Sequence, residues 1–123
     1  MTTPPLGSIL LGSTDPDRLR AWYQEAFDVK PNERNGFLTF GSVGILIDGR
    51  TDVAATNPEP GRVILNFHVD DARAAVDRLT AAGATWLVEL EERAPTGWFA
   101  TAVDPDGNYL QIIELSPEYL ANQ

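Results

Sequence analysis

One predicted strand carries the only histidine in the sequence. The run from Arg62 to Val69 is mostly apolar and β-branched, and alternation along a strand places Asn66 and His68 on the same face. Imidazole titrates near neutral pH, so His68 could act as a general base or as a donor to a ligand carbonyl. The simpler alternative is a strand-end histidine bonded to a neighbour or to water. That alternative is favoured, because the sequence identifies no acid partner for His68.

Three further candidates lie towards the end of the chain. Tyr109 and Gln111 share one face of a predicted strand, and Trp98 begins the strand before it. The amides of Asn66 and Gln111 can orient a neutral polar ligand. The rings of Tyr109 and Trp98 can stack on a planar or cationic ligand. Alternatively, the two amides satisfy each other across the sheet, and the aromatic rings belong to the core or to an interface.

A turn joins the two strands that carry these side chains. The run Asp104-Pro-Asp-Gly-Asn108 combines a proline that presets one dihedral angle, a glycine that tolerates positive φ and side chains that bond the local backbone. We therefore expect a hairpin at this turn. Glu114 lies on the opposite face of its strand from Gln111, so it is not a ligand candidate.

A strand-to-helix unit occurs twice in the chain. Asp15 and Asp71 each follow an apolar run and precede a helical stripe of apolar residues, which predicts two capped helices. The two aspartates are 56 positions apart (71 − 15). The second half predicts the order strand, helix, strand, strand, strand, and the first half repeats this order with shorter strands. The sequence therefore predicts an α+β protein with one module at residues 5–48, a linker at 49–61, a second module at 62–115 and a tail at 116–123.

Each helix stripe needs an apolar sheet face to pack on. In the strand before the second helix, the uniformly apolar set is Leu65, Phe67 and Val69, whereas Ile64, Asn66 and His68 are mixed. We expect the first set to face the helix and the second set to face away from it.

Composition narrows the class of protein. At 123 residues the chain fits one domain, and it has no cysteine for a disulfide or a thiolate metal site. The formal charge of −9 disfavours nucleic acid, which binds clustered Lys and Arg. No apolar run approaches the roughly 20 residues of a membrane span, and the first ten residues do not resemble a secretory signal. We therefore expect a cytoplasmic protein whose partner is a small molecule.

The Asp-Pro-Asp-Gly-Asn turn before a strand, together with the Asp-capped strand-to-helix steps upstream, resembles the vicinal oxygen chelate superfamily. That superfamily includes glyoxalase I, extradiol dioxygenases and the fosfomycin and bleomycin resistance proteins. The resemblance covers most of the chain. It implies two tandem βαβββ modules with curved sheets that form an open barrel-like cleft, and it implies a homodimer.

The resemblance also indicates where metal ligands would lie. Members that bind a metal carry His or Gln near the start of each module's first strand and Glu on each module's last strand. The corresponding positions here are Ser8, Ile64, Gln111 and either Ile45 or Ile47. Hard and transition ions need carboxylate, carbonyl or imidazole ligands, so we expect no metal and no other cofactor.

The function expected from these residues is metal-independent binding of an aromatic or cationic small molecule, as in the bleomycin resistance type that sequesters an antibiotic or metabolite. The expected ligand contacts are Asn66, His68, Trp98, Tyr109 and Gln111. One alternative is a lyase, isomerase or dioxygenase-like enzyme of the same superfamily, with His68 as a possible catalytic residue. Another is a domain that binds a protein and whose cleft has no ligand.

Overall fold

The chain forms two compact units, each with its own sheet. The structure is a computed structural model that describes residues 2–123, and the boundary between the units follows Ala55. The first unit contains β1 (Ser8–Ser13), α1 (Pro16–Phe27), β2 (Leu38–Phe40) and β3 (Val43–Gly49). The second unit contains β4 (Leu65–His68), α2 (Ala72–Ala81), β5 (Thr85–Arg93), β6 (Gly97–Val103), β7 (Tyr109–Leu115) and α3 (Pro117–Ala121), preceded by a short 3-10 helix at Pro60–Arg62. Among the described residues, no helix is long and apolar enough to cross a membrane.

The first unit has a three-stranded sheet in the order β1-β3-β2. β1 is parallel to β3, and β2 is antiparallel to it. The α+β class is confirmed, but the third strand expected after α1 is absent from this unit. Only a single bridge between Pro31 and Leu38 occurs there. The physical reason is local, because Pro31 lacks an N–H and the N–H of Gly36 closes a turn on the carbonyl of Asn32 at 2.8 Å.

The second unit has the predicted order of elements and a four-stranded sheet in the order β4-β7-β6-β5. β4 is parallel to β7, whereas β6 is antiparallel to both of its neighbours. α2 packs against β5, β6 and β7. The side chains beneath it are fully buried and apolar: Ala100, Ala102, Leu110 and Ile112.

Both predicted helix caps are present. The Asp15 carboxylate accepts from the N–H of Arg18 at 3.3 Å, and the Asp71 carboxylate accepts from the N–H of Ala74 at 3.0 Å. The accepting residues of the two units are 56 positions apart (71 − 15), and the donating residues are also 56 positions apart (74 − 18). The repeat deduced from the sequence is therefore a repeat of local hydrogen bonding as well.

Residues 50–59 form no helix or strand. Within this segment Arg50 Nε and Nη2 donate to the two oxygens of Asp52 at 2.8 and 2.6 Å. These hydrogen bonds lower the pKa of the Asp52 carboxyl.

The turn between β6 and β7 depends on one buried carboxylate. Asp104 Oδ1 accepts from the backbone N–H groups of Asp106 and Asn108 at 2.9 and 3.0 Å. Asp104 Oδ2 accepts from Asn108 Nδ2 at 2.9 Å, and Asn57 Nδ2 donates to Asn108 Oδ1 at 2.9 Å. Three hydrogen bonds to a single side chain therefore set the conformation of the hairpin.

We predict that Asp104→Ala destabilises the protein by about 2–4 kcal/mol, because it leaves buried N–H donors without an acceptor. The loss is measurable as a lower free energy of unfolding in urea. Asp77→Ala, on the exposed side of α2, is the matched control and should change the free energy by less than about 0.5 kcal/mol. Equal losses in the two variants would show that the Asp104 hydrogen bonds do not stabilise the turn.

Candidate functional site

The second sheet has two faces with different chemistry. One face is covered by α2, and its fully buried side chains are apolar. We call the opposite side the far face. Cross-strand pairs share a face, so the register assigns side chains to it in three rows. The rows are Tyr109 with Val103, Asn66 with Gln111 and Thr101, and His68 with Ile113 and Phe99.

The middle row is polar across three adjacent strands. Gln111 Nε2 donates to Thr101 Oγ1 at 3.3 Å. Thr101 is buried, Gln111 is half-buried and Asn66 is exposed. Gln111 therefore bonds to Thr101 rather than to Asn66, which was the partner considered from the sequence. The carbonyl of Gln111 and both ends of the Asn66 amide remain available to a ligand.

Tyr109 lies on the far face two residues before Gln111, on the same strand. Its ring is half-buried, so part of its surface can contact a ligand. The structure thus brings Asn66, Tyr109 and Gln111 together on adjacent strands, as the alternation pattern predicted.

His68 ends β4 and is exposed. It lines a cavity of about 370 Å³ together with Asp70, Glu114 and Leu120. The sequence identified no acid partner for His68, and two acidic residues, Asp70 and Glu114, line the same cavity. Glu114 was set aside because it faces the helix side, and its Oε1 does accept from the N–H of Ala72 at 2.8 Å. At the end of the sheet, however, the two faces meet in one cavity.

Trp98 is separated from the other four candidates. It pairs with Glu114, which places it on the helix side of the sheet. Its side chain is 37% exposed and lines a cavity of about 150 Å³ with Ala72, Arg73 and Leu90. The structure therefore does not bring Trp98 to the face that carries Gln111. The physical reason is the alternation of side chains along a strand. Trp98 is an odd number of residues (three) from Thr101, and β6 pairs with β7 without a bulge, so the two side chains lie on opposite faces.

Sequence reasoning did not identify three residues of the far face. Phe99, Glu91 and Arg93 lie beside the row of His68, and β5 extends through Arg93 where a charged loop was expected after Leu90. Two register shifts in β5 break the simple alternation, so parity counting does not locate Glu91 and Arg93. The signal available was the short spacing between Arg93 and Gly97, which favours a tight hairpin.

The register also corrects one metal position. Asn66 pairs with Gln111 in the second unit. The residue that corresponds to Asn66 in the first unit is Leu10, 56 positions earlier (66 − 10), and Leu10 pairs with Leu46. The first-unit counterpart of Gln111 is therefore Leu46. Ile45 and Ile47 are instead buried, on the alternate side of β3 from Leu46.

The donor set does not fit the metal of the superfamily's enzymes. Aliphatic Ile64 and Leu46 offer no ligand atom, and Gln111 offers only a neutral amide oxygen. Within residues 2–123, no three His, Cys, Asp or Glu side chains are grouped closely enough to hold an ion.

Comparison with known families gives a match over most of the chain. The model of the glyoxalase-like domain matches residues 8–113. A comparison with curated proteins gave no match.

Solved structures with the same fold span nearly the whole chain. A glyoxalase/bleomycin resistance protein/dioxygenase family enzyme from Burkholderia phytofirmans PsJN is 21% identical, with a TM-score of 0.76 over 92% of this chain and 100% of the other. TnmS3, an antibiotic binding protein from Streptomyces sp. CB03234, is 20% identical, with a TM-score of 0.67 over 94% and 99%. TioX from Micromonospora sp. ML1 is 19% identical, with a TM-score of 0.73 over 92% and 100%. At these identities the similarity establishes the fold.

We predict that Thr101→Val removes the acceptor of Gln111 and lowers the free energy of unfolding by no more than about 1 kcal/mol, because the hydrogen bond is long and the two side chains are similar in shape. The side-chain amide resonances of Gln111 should shift in the ¹⁵N-¹H spectrum. Thr85→Val, at an exposed position of β5, is the control. Unchanged Gln111 side-chain resonances in Thr101→Val would contradict the hydrogen bond.

Proposed function

Because the chain belongs to the glyoxalase-like domain family of the vicinal oxygen chelate superfamily, we propose that it binds an aromatic small molecule on the far face without a metal ion. In this proposal the protein sequesters its ligand, an antibiotic or a metabolite, and does not transform it. The ligand contacts are Asn66, His68, Tyr109 and Gln111.

The observation that carries the proposal is the register of Asn66, Gln111 and Thr101 across three strands. It sets two amides side by side on paired strands, with the Tyr109 ring next along β7. Amides on adjacent strands can hold one polar group from two sides, and a ring beside them can stack on the attached planar system. Such a combination of a few polar groups and an aromatic wall is typical of small-molecule sites.

Metal independence is supported by the residues at the superfamily's ligand positions. Isoleucine, leucine, serine and a neutral glutamine do not supply the carboxylates or imidazoles that would hold a metal ion, and such an ion would supply the polarisation of a substrate oxygen. The remaining chemistry of the far face is recognition by neutral amides and an aromatic ring. That chemistry supports binding better than turnover.

The similarity to TnmS3 supports the choice of ligand class. That protein is described as antibiotic binding, and its fold matches over nearly the whole of both chains. Antibiotics of many classes contain planar ring systems with polar substituents, which the amides and the Tyr109 ring could contact together. We expect binding of this kind here, and a homodimer in the cytoplasm remains part of the same prediction.

One observation favours a second candidate function, a metal-free lyase or isomerase. His68 shares a cavity of about 370 Å³ with Asp70 and Glu114. An imidazole with carboxylates nearby can take a proton from carbon and be stabilised when it becomes charged. The enzyme candidate therefore depends on His68, whereas the binding candidate depends on Gln111 and Tyr109.

We predict that a panel of neutral and cationic polycyclic aromatic compounds contains ligands that raise the melting temperature. A ligand at 100 times its Kd stabilises the folded state by about 2.7 kcal/mol. Tyr109→Leu and Gln111→Leu should each weaken binding about tenfold, because each removes one contact to the ligand. Calorimetric titration measures the affinities.

The variant Trp98→Leu tests which face of the sheet binds the ligand. If Trp98→Leu abolishes binding and the two far-face variants do not, the ligand lies on the helix side and the far-face proposal is wrong. If no compound in the panel stabilises the protein, sequestration of an aromatic ligand is contradicted. Elemental analysis of the same samples should give well below one metal ion per chain.

For the enzyme candidate, we predict slow exchange of the α-protons of 2-tetralone with D₂O, followed by proton NMR. His68→Gln should abolish the exchange because the amide cannot accept the proton, and Asp70→Asn should reduce it about tenfold or less. Thr85→Val, away from the cavity, is the control. If the unmodified protein gives the same exchange rate as buffer without protein, the enzyme candidate is contradicted. Binding then stands as the proposed function.

A further inference from the structure

One basic side chain on the far face contacts both an aromatic ring and a carboxylate. Arg93 pairs with Gly97, and Glu91 pairs with Phe99, so all three side chains share that face. The guanidinium carbon of Arg93 lies 4.8 Å from the centre of the Phe99 ring. Arg93 Nε donates to Glu91 Oε1 at 2.9 Å, and Nη2 lies 2.7 Å from the same oxygen. Stacking and ion pairing together restrict this side chain more than either contact would alone.

Arg93 retains hydrogen-bonding capacity in this position. A guanidinium has five N–H donors, and Glu91 accepts from two of the nitrogens. The Arg93 side chain is 45% exposed, so its remaining donors and the side of the guanidinium away from Phe99 are accessible. An oxygen acceptor such as a carbonyl, phenolate or carboxylate would match these donors.

No other Lys or Arg lies on the strands of the second sheet. The sequences of β4, β5, β6 and β7 contain Arg93 as their single Lys or Arg. Arg73 and Arg78 lie on α2, on the opposite side of the sheet. An exposed ion pair alone contributes about 0–1 kcal/mol to stability, so the pair with Glu91 does not by itself explain a guanidinium stacked on this face.

The position of Arg93 relative to the amides defines a ligand length. Phe99 lies two residues along β6 from Thr101, and Thr101 lies one strand from Gln111. With about 3.4 Å per residue and about 4.8 Å between strands, the Phe99 position is roughly 8 Å from the Gln111 position. The guanidinium lies 4.8 Å from the centre of the Phe99 ring, so its distance from the Gln111 position is about 8–13 Å. A system of two or three fused rings spans that distance.

We propose that Arg93 is a specificity-determining residue of the far-face site. It binds an oxygen acceptor at one end of a planar fused-ring ligand, and the other end contacts Gln111 and Asn66. This inference rests on the proposed function and narrows its ligand class, because a cationic group next to Arg93 would be repelled. The preferred ligand is therefore neutral or anionic.

The test uses three probes with one ring system and different polar groups. They are naphthalene-2-carboxylate, naphthalene-2-carboxamide and naphthalen-2-ylmethylammonium, titrated into ¹⁵N-labelled protein. We expect the carboxylate and the carboxamide to shift the side-chain amides of Asn66 and Gln111, and the ammonium probe to bind at least about tenfold more weakly. Arg93→Met should weaken carboxylate binding by about tenfold or more, the loss expected for a charge-assisted hydrogen bond.

Two further variants test whether the planar guanidinium of Arg93, with its fork of N–H donors, is needed. Arg93→Lys keeps the charge without the fork and should restore less than half of the lost binding free energy. Arg73→Met, on α2, removes a charge of the same sign from the opposite side and should leave the affinity unchanged. Each variant is first shown to be folded by its ¹⁵N-¹H spectrum.

The outcomes separate this inference from the proposed function. If the probes shift Asn66 and Gln111 but Arg93→Met and Arg73→Met bind equally well, the role of Arg93 is overturned and far-face binding stands. Tighter binding of the ammonium probe than of the carboxylate also overturns the role of Arg93. If no probe perturbs the far face of the unmodified protein, both are overturned.

Discussion

The pairing of β7 with β4 and β6 is the constraint on which the far face depends. A shift of β7 by one residue would turn Gln111 towards α2 and Ile112 away from it. Leu110 and Ile112 are fully buried, and exposing a side chain of this size costs about 1.5–3 kcal/mol. Apolar contacts with the helix thus fix the positions of the amides on the other side. The polar groups themselves, joined by one long hydrogen bond, contribute little to that register.

Two local features at opposite ends of the β6-β7 hairpin reinforce this pairing. The Asp104 carboxylate closes the turn through the backbone N–H groups of Asp106 and Asn108. At the other end, Gly97 has a φ of +151°, and a Cβ there would collide with the carbonyl of Glu114. Only glycine allows this close approach of the two strands. The hairpin is therefore held at both ends, which suits a rigid surface for recognition.

Much of this arrangement could be predicted from the sequence because it depends on local chemistry. The caps at Asp15 and Asp71 and the alternation of Asn66 with its apolar neighbours follow from patterns of a few residues. The face occupied by Arg93 could not be predicted, because two register shifts in β5 are tertiary features that leave no periodic signal. The side occupied by Trp98 required the β6-β7 register, and the missing third strand of the first unit depended on a turn around Pro31.

The repeat makes the distribution of polar groups informative. Both units pair corresponding residues in the same register, yet the first places Leu10 and Leu46 where the second places Asn66 and Gln111. Leu10 is 50% exposed, so an apolar side chain there is not required by burial. The same backbone pairing therefore carries amides in one unit and aliphatic side chains in the other. Since amides provide directional contacts and leucines do not, the proposed recognition of a ligand's polar groups uses the second sheet. In the proposed far-face site, this difference makes Gln111 and Arg93 the residues that decide which ligand is bound.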